Sequence, residues 1–83
     1  MQVINTIVEV YFSSTSWERD AAEDILERMA NIVDGEVDSF TSPYEDEWEA
    51  EIFTDDDTED VEIALTDFID RFEGIRIYVY NAQ

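Results

Sequence analysis

Between Ile4 and Phe12 the chain alternates in polarity. Ile4, Thr6, Val8, Val10 and Phe12 fall on one side and Val3, Asn5, Ile7, Glu9 and Tyr11 on the other, a period of two rich in β-branched residues that predicts a strand. The period then lengthens. From Ser16 to Val33, successive residues turned by about 100° collect Ala21, Ala22, Ile25, Leu26, Met29, Ile32 and Val33 on one arc and Asp20, Glu23, Asp24 and Glu27 on the opposite one. This is an amphipathic helix. The stretch SSTSWE supplies its start, with Thr15 as N-cap and Glu18 three residues on in a capping-box pattern. Asp34-Gly35 ends it, with Gly35 in the left-handed position beyond the last turn.

EVDSFTS predicts a second, weaker strand. Val37 and Phe40 fall on opposite sides of a regular strand, so the pattern leaves its register open, and a short polar strand belongs at a sheet edge. After a turn around Pro43, EWEAEIFT alternates again, with Trp48, Ala50 and Ile52 facing one way and Glu47, Glu49, Glu51 and Phe53 the other. DDDTED opens a second helix, Asp56 and Glu59 making a cap-like pair and the acids complementing the positive end of the helix dipole. Val61, Ala64, Leu65, Phe68, Ile69 and Phe72 form its apolar stripe. Glu73-Gly74 stops it, and IRIYVY is a last strand with Ile75, Ile77 and Val79 inward and Arg76, Tyr78 and Tyr80 outward.

The order is βαββαβ, in a single domain over residues 1–83 without linkers. With right-handed crossovers it resembles the ferredoxin-like fold, an α/β two-layer sandwich. That resemblance implies a four-stranded antiparallel sheet with strands one and three central, strands two and four at the edges, and both helices on one face. Many unrelated functions share the architecture, so function has to be sought in the side chains.

Composition narrows the classes. The chain is 45% hydrophobic and has eleven aromatic residues among 83, too apolar for a disordered acidic tail. It is also small, burying roughly 60% of the surface of its unfolded form, which leaves little room for a large cleft. Four arginines and no lysine stand against 23 Asp and Glu, a formal net charge of −19. That argues against direct contact with DNA, RNA or an anionic membrane and calls for a basic partner. No cysteine is present for disulfide, zinc-thiolate or redox chemistry. The apolar start MQVINTIVEVYF has no basic flank, contains Glu9 and is shorter than a membrane span, so the expected compartment is the cytoplasm, that of the host cell if a phage encodes the chain.

Without His, Cys or Lys the chain lacks the usual nucleophiles and bases, and its serines cluster where a helix is capped; neither enzyme activity nor a cofactor is expected. Asp55, Asp56, Asp57, Glu59 and Asp60 are hard oxygen donors. A helix-loop-helix calcium loop requires Gly at its sixth position and Glu at its twelfth, which counted from Asp55 are Asp60 and Thr66, so no metal site is expected. Tyr11, Phe53, Tyr78 and Tyr80 would lie on the open face of the sheet, where ferredoxin-like RNA-recognition domains stack bases. Glu9, Glu47, Glu49 and Glu51 would share that face and repel phosphates. Those aromatics therefore suggest a protein contact, either a basic partner or a second copy in a homodimer through the open sheet face, unless they are ordinary strand formers beside a hydrated surface.

The acids are the most informative feature. Tyr44 to Asp60 holds ten carboxylates in seventeen residues, and no Lys or Arg occurs between Arg28 and Arg71. Glu45, Glu47, Glu49 and Glu51 recur every second residue, about 6.8 Å apart on one side of a strand. Asp20, Glu23, Asp24 and Glu27 are about 5–6 Å apart on helix one. Both spacings approach the roughly 6–7 Å between neighbouring phosphates on one strand of a duplex rising about 3.4 Å per step. Solubility asks only for a net charge of about 2 to 8 in magnitude.

Small, acidic, lysine-poor domains with such rows resemble the DNA-mimic inhibitors that phages and mobile elements direct against restriction enzymes and CRISPR effectors. The likeness is one of charge and size, with no shared motif. It implies an anti-CRISPR or anti-restriction protein that fills a basic DNA or guide-RNA channel of a nucleic-acid-binding complex, associating fast and weakening with salt. The expected contacts are Glu45, Glu47, Glu49, Glu51, Asp55, Asp56 and Asp57, then Asp20, Glu23, Asp24 and Glu27. Ile63, among Glu59, Glu62, Asp67 and Asp70 on the outer arc of helix two, is the candidate apolar anchor. Two other readings fit the charge: an acidic module that binds a basic protein without displacing DNA, and a housekeeping domain of a salt-adapted organism. The isoleucines, the aromatics and the scarcity of glycine count against the latter.

Overall fold

Residues 4–44 and 47–82 are described by the computed structural model. Six elements follow in the expected order: β1 (Thr6–Ser13), α1 (Arg19–Ile32), β2 (Glu36–Tyr44), β3 (Glu47–Thr54), α2 (Thr58–Ile69) and β4 (Ile75–Asn81). The strands form one antiparallel sheet in the order β2-β3-β1-β4, so β1 and β3 are central and β2 and β4 are edges. Both helices pack on one face of it, the ferredoxin-like α+β two-layer sandwich. Val3 and Glu45 lie outside the described residues.

Alternation in the central strands selects the covered face. Thr6, Val8, Val10 and Phe12 of β1 and Ala50, Ile52 and Thr54 of β3 are buried, and the register sets Val8 opposite Ile52 and Val10 opposite Ala50. Ala22, Leu26 and Met29 close the core from α1, Val33 from the residue after it, and Val61 and Leu65 from α2. Removing a large aliphatic side chain from water contributes about 1.5–3 kcal/mol, so these positions hold the layers together. The α1 stripe is rotated from the one the pattern suggests: Ala30 is buried at one margin, whereas Ala21 and Ile32, together at the other, are exposed. Ile4 also remains exposed, ahead of the first residue of β1.

Three local expectations are corrected. Helix α1 starts at Arg19, not Ser16, and has Glu18 as N-cap with no side-chain cap bond. The Ser13 carbonyl accepts the amides of Ser16 and Trp17, while Thr15 Oγ1 bonds Ser13 Oγ at 2.8 Å. Trp17 dictates this turn. Its ring packs 5.8 Å from Phe12 and 5.7 Å from Phe72, and its Nε1 donates to the Glu73 carbonyl at 2.6 Å, so the chain winds into a helix only after the indole is seated. Likewise α2 has Asp57 as N-cap rather than Asp56, because the Asp56 carbonyl is engaged by Thr6 Oγ1 at 2.8 Å and its amide donates to Thr54 Oγ1 at 3.1 Å.

The third concerns Gly35. Asp34, with φ 51°, takes the left-handed position, and the amides of Asp34 and Gly35 donate to the carbonyls of Asn31 and Ala30, a Schellman ending. Gly35 is needed for closeness instead, since a Cβ there would stand 2.7 Å from the Phe53 carbonyl oxygen. The register of β2, open in the sequence, is settled by a bulge. Val37 lies opposite Ile52 and Phe40 opposite Ala50, with an extra residue between Val37 and Ser39, so both apolar residues face the helix layer. Phe40 stacks 6.1 Å from Trp48, completing the aromatic end of the core.

Candidate functional site

The uncovered face of the sheet is a grid set by register. One row across it reads Ser39, Glu51, Glu9, Tyr78, the next Thr41, Glu49, Tyr11, Arg76, and Phe53, Ile7 and Tyr80 make a third. Glu47, Glu49 and Glu51 thus share one side of β3, as alternation predicts, and Glu9 of β1 stands directly opposite Glu51. Like charges at opposed positions disfavour the sheet, so this pairing must be offset by its neighbours.

Those neighbours are mostly aromatic. Tyr11 Oη donates to Glu49 Oε1 at 3.4 Å and Tyr80 Oη to Glu9 Oε1 at 3.3 Å. The Arg76 guanidinium lies 5.2 Å from the centroid of the Tyr11 ring and reaches across β1 to Glu47, with Nη2 at 2.9 Å from Oε1. Tyr78 meets Tyr11 edge-on at 5.7 Å. The Glu51 carboxylate makes no hydrogen bond or ion pair among the described residues. Partial burial, then the charges of Asp38, Glu9 and Glu49, push its carboxyl above the usual carboxylate range. Partial burial, then the charges of Glu9 and Glu49, likewise push the Tyr11 hydroxyl up to about 12. The carboxylates of Glu9 and Glu49 therefore act on the Tyr11 hydroxyl as well as on Glu51.

Asp55, Asp56 and Asp57 follow β3 and lead into α2. Asp55 and Asp57 are exposed and Asp56 is half-buried. Asp55 joins Glu36, Ile4 and Phe53 around a small depression at that end of the sheet. Asp20, Glu23, Asp24 and Glu27 do not join it. All four are exposed on the outer surface of α1, across the helix layer from the open face, and Asp24 pairs with Arg28 at 3.3 Å. Ile63 is 64% exposed, in a shallow hollow of α2 lined by Glu62, Thr66, Asp67 and Asp70. Among the described residues no group of three carboxylates converges to hold a metal ion, and no helix is long and apolar enough to cross a membrane.

No protein family, curated protein or solved structure matches the chain. What it does has to follow from the chemistry of its surface. Three members of the open face were not among the residues expected to make contact: Glu9, Asp38 and Arg76. The alternation of β1 already set Glu9 on that face. Alternation likewise set Arg76 outward, but its reach to Glu47 crosses an intervening strand and Asp38 is brought beside Glu51 by the β2 bulge, so neither contact had a local signal.

Proposed function

We propose that this chain is a DNA mimic that enters the basic nucleic-acid-binding channel of a defence complex, a CRISPR effector or a restriction enzyme, and excludes the nucleic acid. It would act in the cytoplasm of the cell whose complex it blocks. The observation that carries the reading is charge on both broad faces of a thin slab. The Cα extents are 36 × 24 × 18 Å, with Glu9, Glu49 and Glu51 on the open sheet face and Asp20, Glu23 and Glu27 on the outer surface of α1. None of these six carboxylates is in an ion pair among the described residues. A channel lined with Arg and Lys on both walls would find a partner on each side, as it does with the phosphates of a duplex. A flat basic patch would use only one.

A second reading has an observation of its own. Arg76 lies against the Tyr11 ring and pairs with Glu47, the mode in which an aromatic and acidic face receives an arginine. The same face could hold arginines of a basic protein while that protein keeps its nucleic acid. Displacement separates the two. Partner captured at low salt is challenged with duplex DNA: release supports mimicry, and a ternary complex supports the acidic module. In either case Glu47→Lys, Glu49→Lys and Glu51→Lys together should weaken binding on the order of a hundredfold with the circular dichroism unchanged, each reversed charge costing about 1 kcal/mol or more at an interface. Unaltered affinity would remove the β3 row from the contact.

A further inference from the structure

Of the two sheet edges only one is blunted. β2 has extra residues between Val37 and Ser39 and between Thr41 and Tyr44, and carries Glu36 and Asp38, features that keep an edge from pairing with another strand. β4 runs against β1 without a register break from Ile75 to Phe12 through to Asn81 against Thr6. Its sequence IRIYVYN has no acid, and among the described residues its outer side pairs with no strand. In a chain of net charge −19, a seven-residue acid-free edge is the place where a like-charged copy can approach. We propose that β4 pairs with β4 of a second copy of this chain about a two-fold axis, joining the two four-stranded sheets into one.

Antiparallel pairing centred on Tyr78 is self-complementary. It sets Tyr78 against Tyr78 and Arg76 against Tyr80 on the open face, and Ile77 against Val79 on the helix face, because opposed residues share a side of the ladder. Tyr78 is 50% exposed and Tyr80 41%, and Ile77 and Val79 are only half-buried against the core, so the pairing covers apolar surface that one chain leaves open. It also sets the strand's one cation beside Tyr80, whose hydroxyl donates to Glu9. A face-to-face dimer would instead press Glu9, Glu49 and Glu51 towards their own copies. The two associations respond oppositely to salt: pairing of like-charged chains strengthens as ions screen the repulsion, whereas binding in a basic channel weakens.

Sedimentation velocity of the full chain over a concentration series, at low and at high salt, tests the proposal. A dimer is expected whose dissociation constant falls as salt rises. Tyr78→Glu opposes two carboxylates on the axis and should raise that constant on the order of tenfold or more. A chain that stays monomeric at every concentration and salt, or a dimer that persists in a folded Tyr78→Glu variant, would overturn it. Amide hydrogen exchange on the unaltered chain gives a reading independent of any variant. The amides of Ile75, Ile77 and Val79, which point away from β1, should become more protected as protein concentration rises, and protection independent of concentration would also overturn the pairing.

Discussion

Thr6 and Thr54 are the two polar side chains buried in this core among the described residues, opposite one another on β1 and β3. Thr54 Oγ1 donates to the Val33 carbonyl at 2.6 Å and accepts the Asp56 amide, while Thr6 Oγ1 serves the Asp56 carbonyl and shares a hydrogen bond with Thr58 Oγ1 at 2.8 Å. One pair of hydroxyls thereby ties the end of α1, the acidic loop and the start of α2 to the sheet. Thr54→Val is isosteric but leaves the Val33 carbonyl without that donor; it should cost about 1–3 kcal/mol in a urea melt. Glu51 makes a prediction of opposite sign. Its folded-state ionisation lies above the ordinary value, so the stability it contributes is complete below that value and is lost as pH rises through the folded one. Glu51→Gln should therefore be more stable than the parent at pH 7 and should approach it in acid; equal stability at both ends would show that Glu51 ionises freely.

At the scale of elements, the turn between α1 and β2 shows how two adjacent residues divide the work. Asp34 holds the left-handed conformation and adds a negative charge at the negative end of the α1 dipole, whereas Gly35 lies against the Phe53 carbonyl. Asp34→Asn keeps the tolerance for that conformation and removes the charge, so it should stabilise by about 0.3–1 kcal/mol. Gly35→Ala should destabilise by on the order of 1–3 kcal/mol, as overpacking does. Thermal melts of both variants check the pair, and the assignment fails if the two shift in the same direction. The sequence marked this turn correctly and exchanged the roles of its residues, because what Gly35 must avoid belongs to β3, seventeen or more positions away. The starts of α1 and α2 moved for the same reason: Trp17 and Thr6 engage groups at Glu73 and Asp56 that no capping pattern contains.

For the whole molecule, charge dominates. Four arginines cannot balance 23 acids, and two of them are spent on Asp24 and Glu47. Raising ionic strength from about 0.01 to 0.15 M shortens the screening length from about 30 to 8 Å, and the melting temperature should rise by on the order of 5 °C as self-repulsion is screened. A salt-adapted domain behaves differently: it would be unfolded at about 0.15 M and would fold only in multimolar salt. Circular dichroism across that range distinguishes the two, and a fold complete at the lower salt removes the adaptation reading.

Polarity with periods of two and 3.6 determined by itself the order of the elements and the inward sides of β1, β3 and β4, since each depends only on residues near in sequence. The acid rows were equally legible as rows. Only the tertiary structure decided their relation: strand pairing set Glu9 against Glu51, the bulge brought Asp38 beside them, and layering put the α1 acids on the far surface. Pairing across a sheet and packing across a layer join residues tens of positions apart, and local pattern has no means of expressing either.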